Sequence, residues 1–159
     1  MSAVLSLNDV RVSFKTLEGT VQAVRGVSLD VEPGELLAVV GESGSGKSVT
    51  FLGVMGLLPS SASISGSARL GDLDLISAPD KERRRARGKK IAMIFQDPLS
   101  ALNPVHRVGE QIVEMIQSHQ DLSHSQAMSK AVELLDLVGI PQPTDRAKQY
   151  PHQFSGGMR

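Results

Sequence analysis

The sequence predicts an α/β fold, and three observations predict it. A glycine-rich loop lies between a continuous apolar run, "LLAVV" (36–40), and a helix-forming stretch that begins near Lys47. Upstream of that run, apolar and polar residues alternate at the period of half-buried strands. Beyond residue 98 the apolar residues recur at helical spacing instead. This order divides the 159 residues into an α/β core over 1–97, with an antiparallel β portion, and a helical subdomain over 98–159.

The elements follow in turn. Val10, Val12 and Phe14 alternate with polar neighbours, as do Val27, Leu29 and Val31, so each set marks a strand. "EPGE" (32–35) reads as a tight turn with Pro33 and Gly34 at its centre. "LLAVV" is of the type buried on both faces of a parallel sheet. The helix from Lys47 is expected to run to about Leu58, because Pro59 cannot continue it. "GSARLGDLDLI" (66–76) predicts a hairpin turning at Gly71-Asp72. "SAPDKERRRARG" (77–88) predicts a short helix, with Ser77 as N-cap and Asp80 completing a capping box. "KIAMIF" (90–95) is a second candidate for a buried strand. Val108, Ile112, Met115 and Ile116 keep helical spacing, and so do Ala127, Ala131, Leu134, Leu135 and Val138. Ser123-x-x-Gln126 is a capping box for the second of these helices, which Gly139 and Pro141 end.

Composition narrows the function classes. Seventeen basic and seventeen acidic residues give a formal net charge of zero, which removes the usual electrostatic reason to expect a nucleic-acid partner. With no cysteine there is no disulfide, thiol nucleophile or thiolate metal site. No run approaches the ~18 apolar residues of a membrane span, and the N-terminus lacks the pattern of a signal peptide, so a soluble chain is expected. The one charge cluster, Lys81 to Lys90, reads as a solvated helix face, with contact to anionic lipid as the alternative.

The loop carries the chemistry. Gly41-Glu42-Ser43-Gly44-Ser45-Gly46-Lys47-Ser48 fills every fixed position of the pattern G-x-x-x-x-G-K-[ST], between a strand candidate and a helix. This is a P-loop: glycines let backbone amides wrap a phosphate chain, and the helix adds its positive N-terminus. Lys47 is placed to reach the β/γ-phosphates of a nucleotide, and the Ser48 hydroxyl to ligate Mg²⁺. A second carboxylate at the end of another strand is also expected for the metal. Asp97 is the candidate by position; Asp136 falls on a helix.

The loop with its surroundings, "IAMIFQDPLSALNP" (91–104) and "YPHQFSGGMR" (150–159) together resemble the ATP-binding subunit of an ABC transporter. The likeness spans essentially the whole chain and is strongest toward the dipeptide, oligopeptide and nickel import ATPases, where stretches similar to "SVTFLGVMGLLP" and "FQDPLSALNPV" recur. It implies a P-loop NTPase core of the ABC ATPase type that binds ATP and Mg²⁺ through Gly41 to Ser48 and Val49. It makes Gln96 the Q-loop glutamine, contacting the Mg²⁺/γ-phosphate region and relaying its occupancy to a membrane subunit. It puts Phe14 where the family carries an adenine-stacking aromatic, usually Tyr, although Phe14 equally suits the interior of a strand. Phe154-Ser155-Gly156-Gly157-Met158 resembles the signature motif, with Phe for Leu and Met for Gln. In the family, residues such as Ser155, Gly156, Gly157 and Met158 cover the nucleotide of a second ATP-binding subunit, head to tail.

The same resemblance implies integral membrane permease partners, a cytoplasmic location at the inner face of the membrane, and peptide as substrate, with nickel second. The family's Walker B carboxylates, D-loop and switch histidine follow the signature, and residues 1–159 hold no match to them. His106, His119, His124 and His152 precede the signature and read as surface residues. The chain is thus expected to bind ATP without sustained turnover, to be truncated before Walker B and to leave strand edges open. Two other classes stay open, an ABC ATPase outside transport and a non-catalytic nucleotide-binding module.

Overall fold

The computed structural model describes residues 3–95 and 101–158, and these form two compact units, Met1–Arg87 and Gly88–Arg159. The first is built on a four-stranded antiparallel sheet of order β2-β1-β3-β4: β1 (Leu5–Thr16), β2 (Gly19–Val31), β3 (Ala62–Leu70) and β4 (Leu73–Asp74). Both alternating segments are strands, joined as one long hairpin. The central strand, β1, buries Leu7, Val10 and Val12 on one face and turns Arg11 outward. Asp9, at φ 43°, breaks the pairing between Leu7 and Val10, and Gly26 of β2, at φ 116°, leaves room for its carboxylate. Such a bulge bends a strand without moving the apolar residues off the core face.

The turn at Glu32–Glu35 forms, closed by the Glu35 amide on the Glu32 carbonyl at 3.1 Å, with Gly34 at φ 75°. The predicted hairpin also forms: Leu70 faces Leu73 across Gly71-Asp72.

Four expectations are corrected. "LLAVV" is not a strand: residues 36–40 make no ladder among the described residues, and Leu36 and Val40 are 96% and 88% exposed. "KIAMIF" likewise runs outside any described strand apart from one bridge at Ile91, with Ile94 99% exposed. An apolar run becomes a strand only when a neighbouring segment pairs with its backbone. Among the described residues no strand does so for either run. The helix α1 (Lys47–Val54) stops short of Leu58. Gly56, at φ 66°, ends it with paired bonds from the Gly56 amide to the Gly53 carbonyl and from the Leu57 amide to the Leu52 carbonyl, both 2.9 Å. This is the Schellman arrangement, which only glycine adopts without strain. Ser77 does not cap α2 (Asp80–Ala86); Pro79 holds the cap position, and the Ser77 hydroxyl donates to Asp74 Oδ2 instead.

α1 packs on the sheet through Gly53, where a Cβ would lie 2.9 Å from Ile64 and 3.3 Å from Val12. Thr50, Val54 and Met55 are buried on that side.

The second unit is helical: α3 (Val108–His119), α4 (His124–Leu137), α5 (Pro143–Ala147) and a 3₁₀ turn, Pro151–Gln153. Val108, Ile116, Ala127, Ala131 and Leu135 are buried as their spacing predicts, while Met115, Leu134 and Val138 face solvent. The Ser123 capping box forms, with Gln126 N–H donating to Ser123 Oγ at 3.3 Å and Ser123 N–H to Gln126 Oε1 at 3.0 Å. Gly139 at φ 78° closes α4. No described helix is long and apolar enough to cross a membrane.

Candidate functional site

The phosphate loop leads directly into α1. The first intrahelical bond is from the Thr50 amide to the Gly46 carbonyl, at 2.9 Å. The amides of Lys47, Ser48 and Val49 therefore have no helical acceptor. No side chain caps this end, and no acidic residue sits in the first turn. A helix start with free donors and no resident carboxylate suits an anion. Thr50 is buried and turns its hydroxyl back to the same Gly46 carbonyl at 2.9 Å, fixing the corner where loop becomes helix.

Lys47 lies across the loop. Its Nζ donates to the carbonyls of Gly41 and Glu42, both at 2.7 Å, and to Ser45 Oγ at 3.2 Å. The ammonium is thereby held at the centre of the turn, and the carbonyls it engages are turned toward it. Two glycines are required by geometry. Gly46 sits at φ 91°, and a Cβ there would lie 2.7 Å from the Ala23 carbonyl of β2. Gly44 sits at φ 80° with open space beside it, so its demand is purely conformational. The residues of this loop thus fit a polyphosphate: the first amides of α1 have no helical acceptor, and a cation is anchored across the turn. Ser48 is exposed in the first turn of α1, where a hydroxyl is free to meet a bound cation.

Other predicted site residues are placed as follows. Phe14 is half-buried on β1, opposite Val21 of β2 and Ala62 of β3. Gln96 and Asp97 lie outside the described residues. In the helical unit, Phe154 is buried with Val108, Leu135, Ile140 and Ala147, and half-buried Met158 packs on the same cluster. Ser155, Gly156 and Gly157 form an exposed turn, with the Met158 amide on the Ser155 carbonyl at 3.1 Å. A Cβ at either glycine would meet open space. Phe154 thus anchors a turn whose small residues remain free. A groove of about 760 Å³ on α3, lined by Asn103, His106, Glu110, Gln111 and Met115 among others, holds none of the predicted residues.

Sequence reasoning missed several supports of the loop. The Ala23 carbonyl, which presses on Gly46, carries no sequence signal because any residue supplies a carbonyl. Thr50 was legible only as a polar residue in an apolar helix. Gly56 did carry a signal, a glycine at the end of the apolar run "VTFLGVM".

Residues 24–159 match the family described as ABC transporter. The chain is 53% identical over its whole length to a dipeptide transport ATP-binding protein, DppD, of Bacillus subtilis, and covers 48% of it. It is 48% identical over its whole length to an oligopeptide transport ATP-binding protein, OppD, of the same organism, covering 45% of that protein. The chain spans about half the length of the curated relatives it matches. Among solved structures, a dimeric bacterial ABC transporter cassette, MJ0796, superposes with a TM-score of 0.80 at 25% identity, over 97% of this chain and 64% of that one. With that match over most of its residues, the chain belongs to the ABC transporter family and has its α/β ATPase fold.

Proposed function

We propose that this member of the ABC transporter family binds Mg·ATP and forms part of an importer of small peptides. The observation that carries the reading is the loop itself: an uncapped helix start, glycines at positive φ and Lys47 anchored across the turn. Similarity to dipeptide and oligopeptide transport ATP-binding proteins supports peptide as the cargo, with nickel as the alternative.

On this reading the amides of Lys47, Ser48 and Val49 donate to phosphate oxygens, and Gly41 to Gly46 shape the turn around them. Lys47 meets the outer phosphates at short distance, where a cation strengthens binding more than it would in bulk water. The Ser48 hydroxyl would hold the metal, and the family resemblance gives Gln96 as a second contact to it. Mg²⁺ when bound supplies neutralisation of the phosphate charge. Phe14 stacks on the adenine.

The exposed turn Ser155-Gly156-Gly157, with Met158, closes over nucleotide held by a second ATP-binding subunit. The dimeric state of the cassette it superposes on supports a paired arrangement. Integral membrane permease subunits, which this chain meets from the cytoplasmic face, complete the machine. The family's Walker B carboxylates, catalytic glutamate and switch histidine find no match in residues 1–159, and on this reading the 159-residue chain by itself holds nucleotide without sustained turnover.

Calorimetric titration with Mg·ATP of the 159-residue chain and its Lys47→Ala variant tests the reading. Saturable binding by the first and a loss of at least tenfold in the second are expected. Equal binding by both would overturn the role of the loop. Steady phosphate release at the rate of an intact ATPase would overturn the absence of turnover.

A further inference from the structure

α1 is eight residues long, too short to be stable by itself, so its two ends must be held from outside. At its C-terminal end the Gly56 and Leu57 amides donate to the carbonyls of Gly53 and Leu52, and the helix has no basic residue in its own last turn. The carbonyls just beyond it, of the cap residue Met55 and of Gly56, take a donor from 32 and 31 residues further along the chain. Arg87 Nη1 donates to the carbonyl of Met55 at 3.2 Å and lies 3.4 Å from that of Gly56. Arg83 covers the same end: a Cβ on Gly56 would stand 3.2 Å from its Nη1. Both guanidiniums are partly buried, unlike those of Arg84 and Arg85.

They are held there by Asp80. Its Oδ1 lies 3.7 Å from Arg83 Nη2 and 3.8 Å from Arg87 Nη2, while its Oδ2 takes Arg84 Nε at 2.6 Å. The basic run therefore has two populations. One faces solvent; the other sets positive charge against the negative end of α1, where the helix dipole favours it.

We propose that Arg87, backed by Arg83 and Asp80, is a positioning residue for nucleotide binding. It caps the far end of the helix whose near end carries the phosphate loop, and so keeps the amides of Lys47, Ser48 and Val49 in register. This rests on the nucleotide reading above. A helix of two turns transmits looseness at one end to the other, because few intervening bonds absorb it.

The test uses the 159-residue chain and the variants Arg87→Ala, Arg87→Lys, Arg87→Gln and Arg85→Ala. In the absence of nucleotide, amide hydrogen exchange along Thr50–Leu57 is expected to quicken about fivefold in Arg87→Ala, a typical worth of one cap interaction. Arg87→Lys, which keeps charge and donor, should stay near wild type, and the solvent-facing Arg85→Ala should not differ. With Mg·ATP, the Kd of Arg87→Ala should rise about threefold to tenfold. Unchanged exchange in Arg87→Ala overturns the cap. Faster exchange with unchanged Kd overturns the positioning role, leaving a cap without consequence for the ligand. Failure of the unaltered chain to bind overturns the nucleotide reading and the positioning role with it, while exchange still decides the cap. If Arg87→Ala does not fold, equal losses in Arg87→Lys and Arg87→Gln overturn the proposal, and rescue by Lys alone supports it.

Discussion

The core valines of the sheet and Val40 of the apolar run that follows β2 are the same residue with opposite fates. Val10 and Val12 of β1 are 0% exposed, whereas Leu36 and Val40 stand almost wholly in solvent. The difference does not lie in the side chains. β1 has a hydrogen-bonded neighbour on each edge, β2 and β3, and α1 covers the core side through Gly53. Residues 36–40 have no described strand on either edge. Hydrophobicity states a preference for burial; backbone pairing decides whether it is met.

Identical substitutions in the two places give the widest contrast. Val12→Asp puts an unpaired carboxylate at the centre of the sheet, beneath Gly53 and between two ladders. The expected cost is above about 4 kcal/mol, most of the stability a small unit possesses. Circular dichroism and a urea melt should show the sheet unit already lost in water. A cooperative melt near the wild-type midpoint would mean that the sheet face is not the core.

Gly46→Ala comes next, because it strikes where the ordered sheet touches the loop. The new Cβ would meet the Ala23 carbonyl at 2.7 Å in a backbone at φ 91°. Strain of this kind costs about 1–3 kcal/mol. Either the helix start moves off β2 or the loop changes shape, and both should abolish Mg·ATP binding in calorimetry while the sheet still melts cooperatively. Gly44→Ala, with open space beside it, should lose less. Equal effects would show that conformation, not the Ala23 contact, sets the demand.

The same contrast explains what could be read from the sequence. Alternation found β1 and the end of β2, since period two is a property of the residues themselves. It did not find Gly19–Gly26 of β2, where the pattern is interrupted, and it could not show that the Asp9 bulge would keep Val10 inward. The P-loop was legible because each fixed position has a local role in the turn. α1 ends at Gly56 rather than before Pro59: the left-handed cap acts before the proline can. The runs 36–40 and 90–95, which join no described sheet, depart from their expected strands for a single reason. A strand is a relation between segments, and no property of "LLAVV" or "KIAMIF" specifies its neighbours. Arg87 was illegible likewise, being one of seven basic residues in a row of ten.

Asp74 gives a smaller and polar version of the contrast, since here pairing rescues a charge rather than an apolar chain. Partial burial opposes its ionisation, but amides of Ala68, Ile76 and Ser77 and the Ser77 hydroxyl outweigh that and hold its carboxyl below the ordinary 3.8. A lowered folded pKa means the carboxylate stabilises the fold fully above the ordinary value and loses that contribution as pH falls through the folded one. Asp74→Asn should therefore cost about 1 kcal/mol at neutral pH, modest because the group is partly solvated. Wild type and variant should converge in stability only below about pH 4. A constant gap across pH 2–7 would assign the loss to packing instead.

Val40→Asp should cost least, within about 0.5 kcal/mol, because the side chain is 88% exposed and leaves no cavity. Its visible effect should be on association. An apolar segment with no strand partner among the described residues is a template for another chain, and a charge within it opposes that pairing. Sedimentation of wild type should therefore show concentration-dependent association that Val40→Asp reduces, with both melting alike. A loss of 2 kcal/mol or more in the variant would mean that in solution the run is buried after all. The division between the paired sheet and the exposed run would then fail at one of the run's two most exposed large side chains.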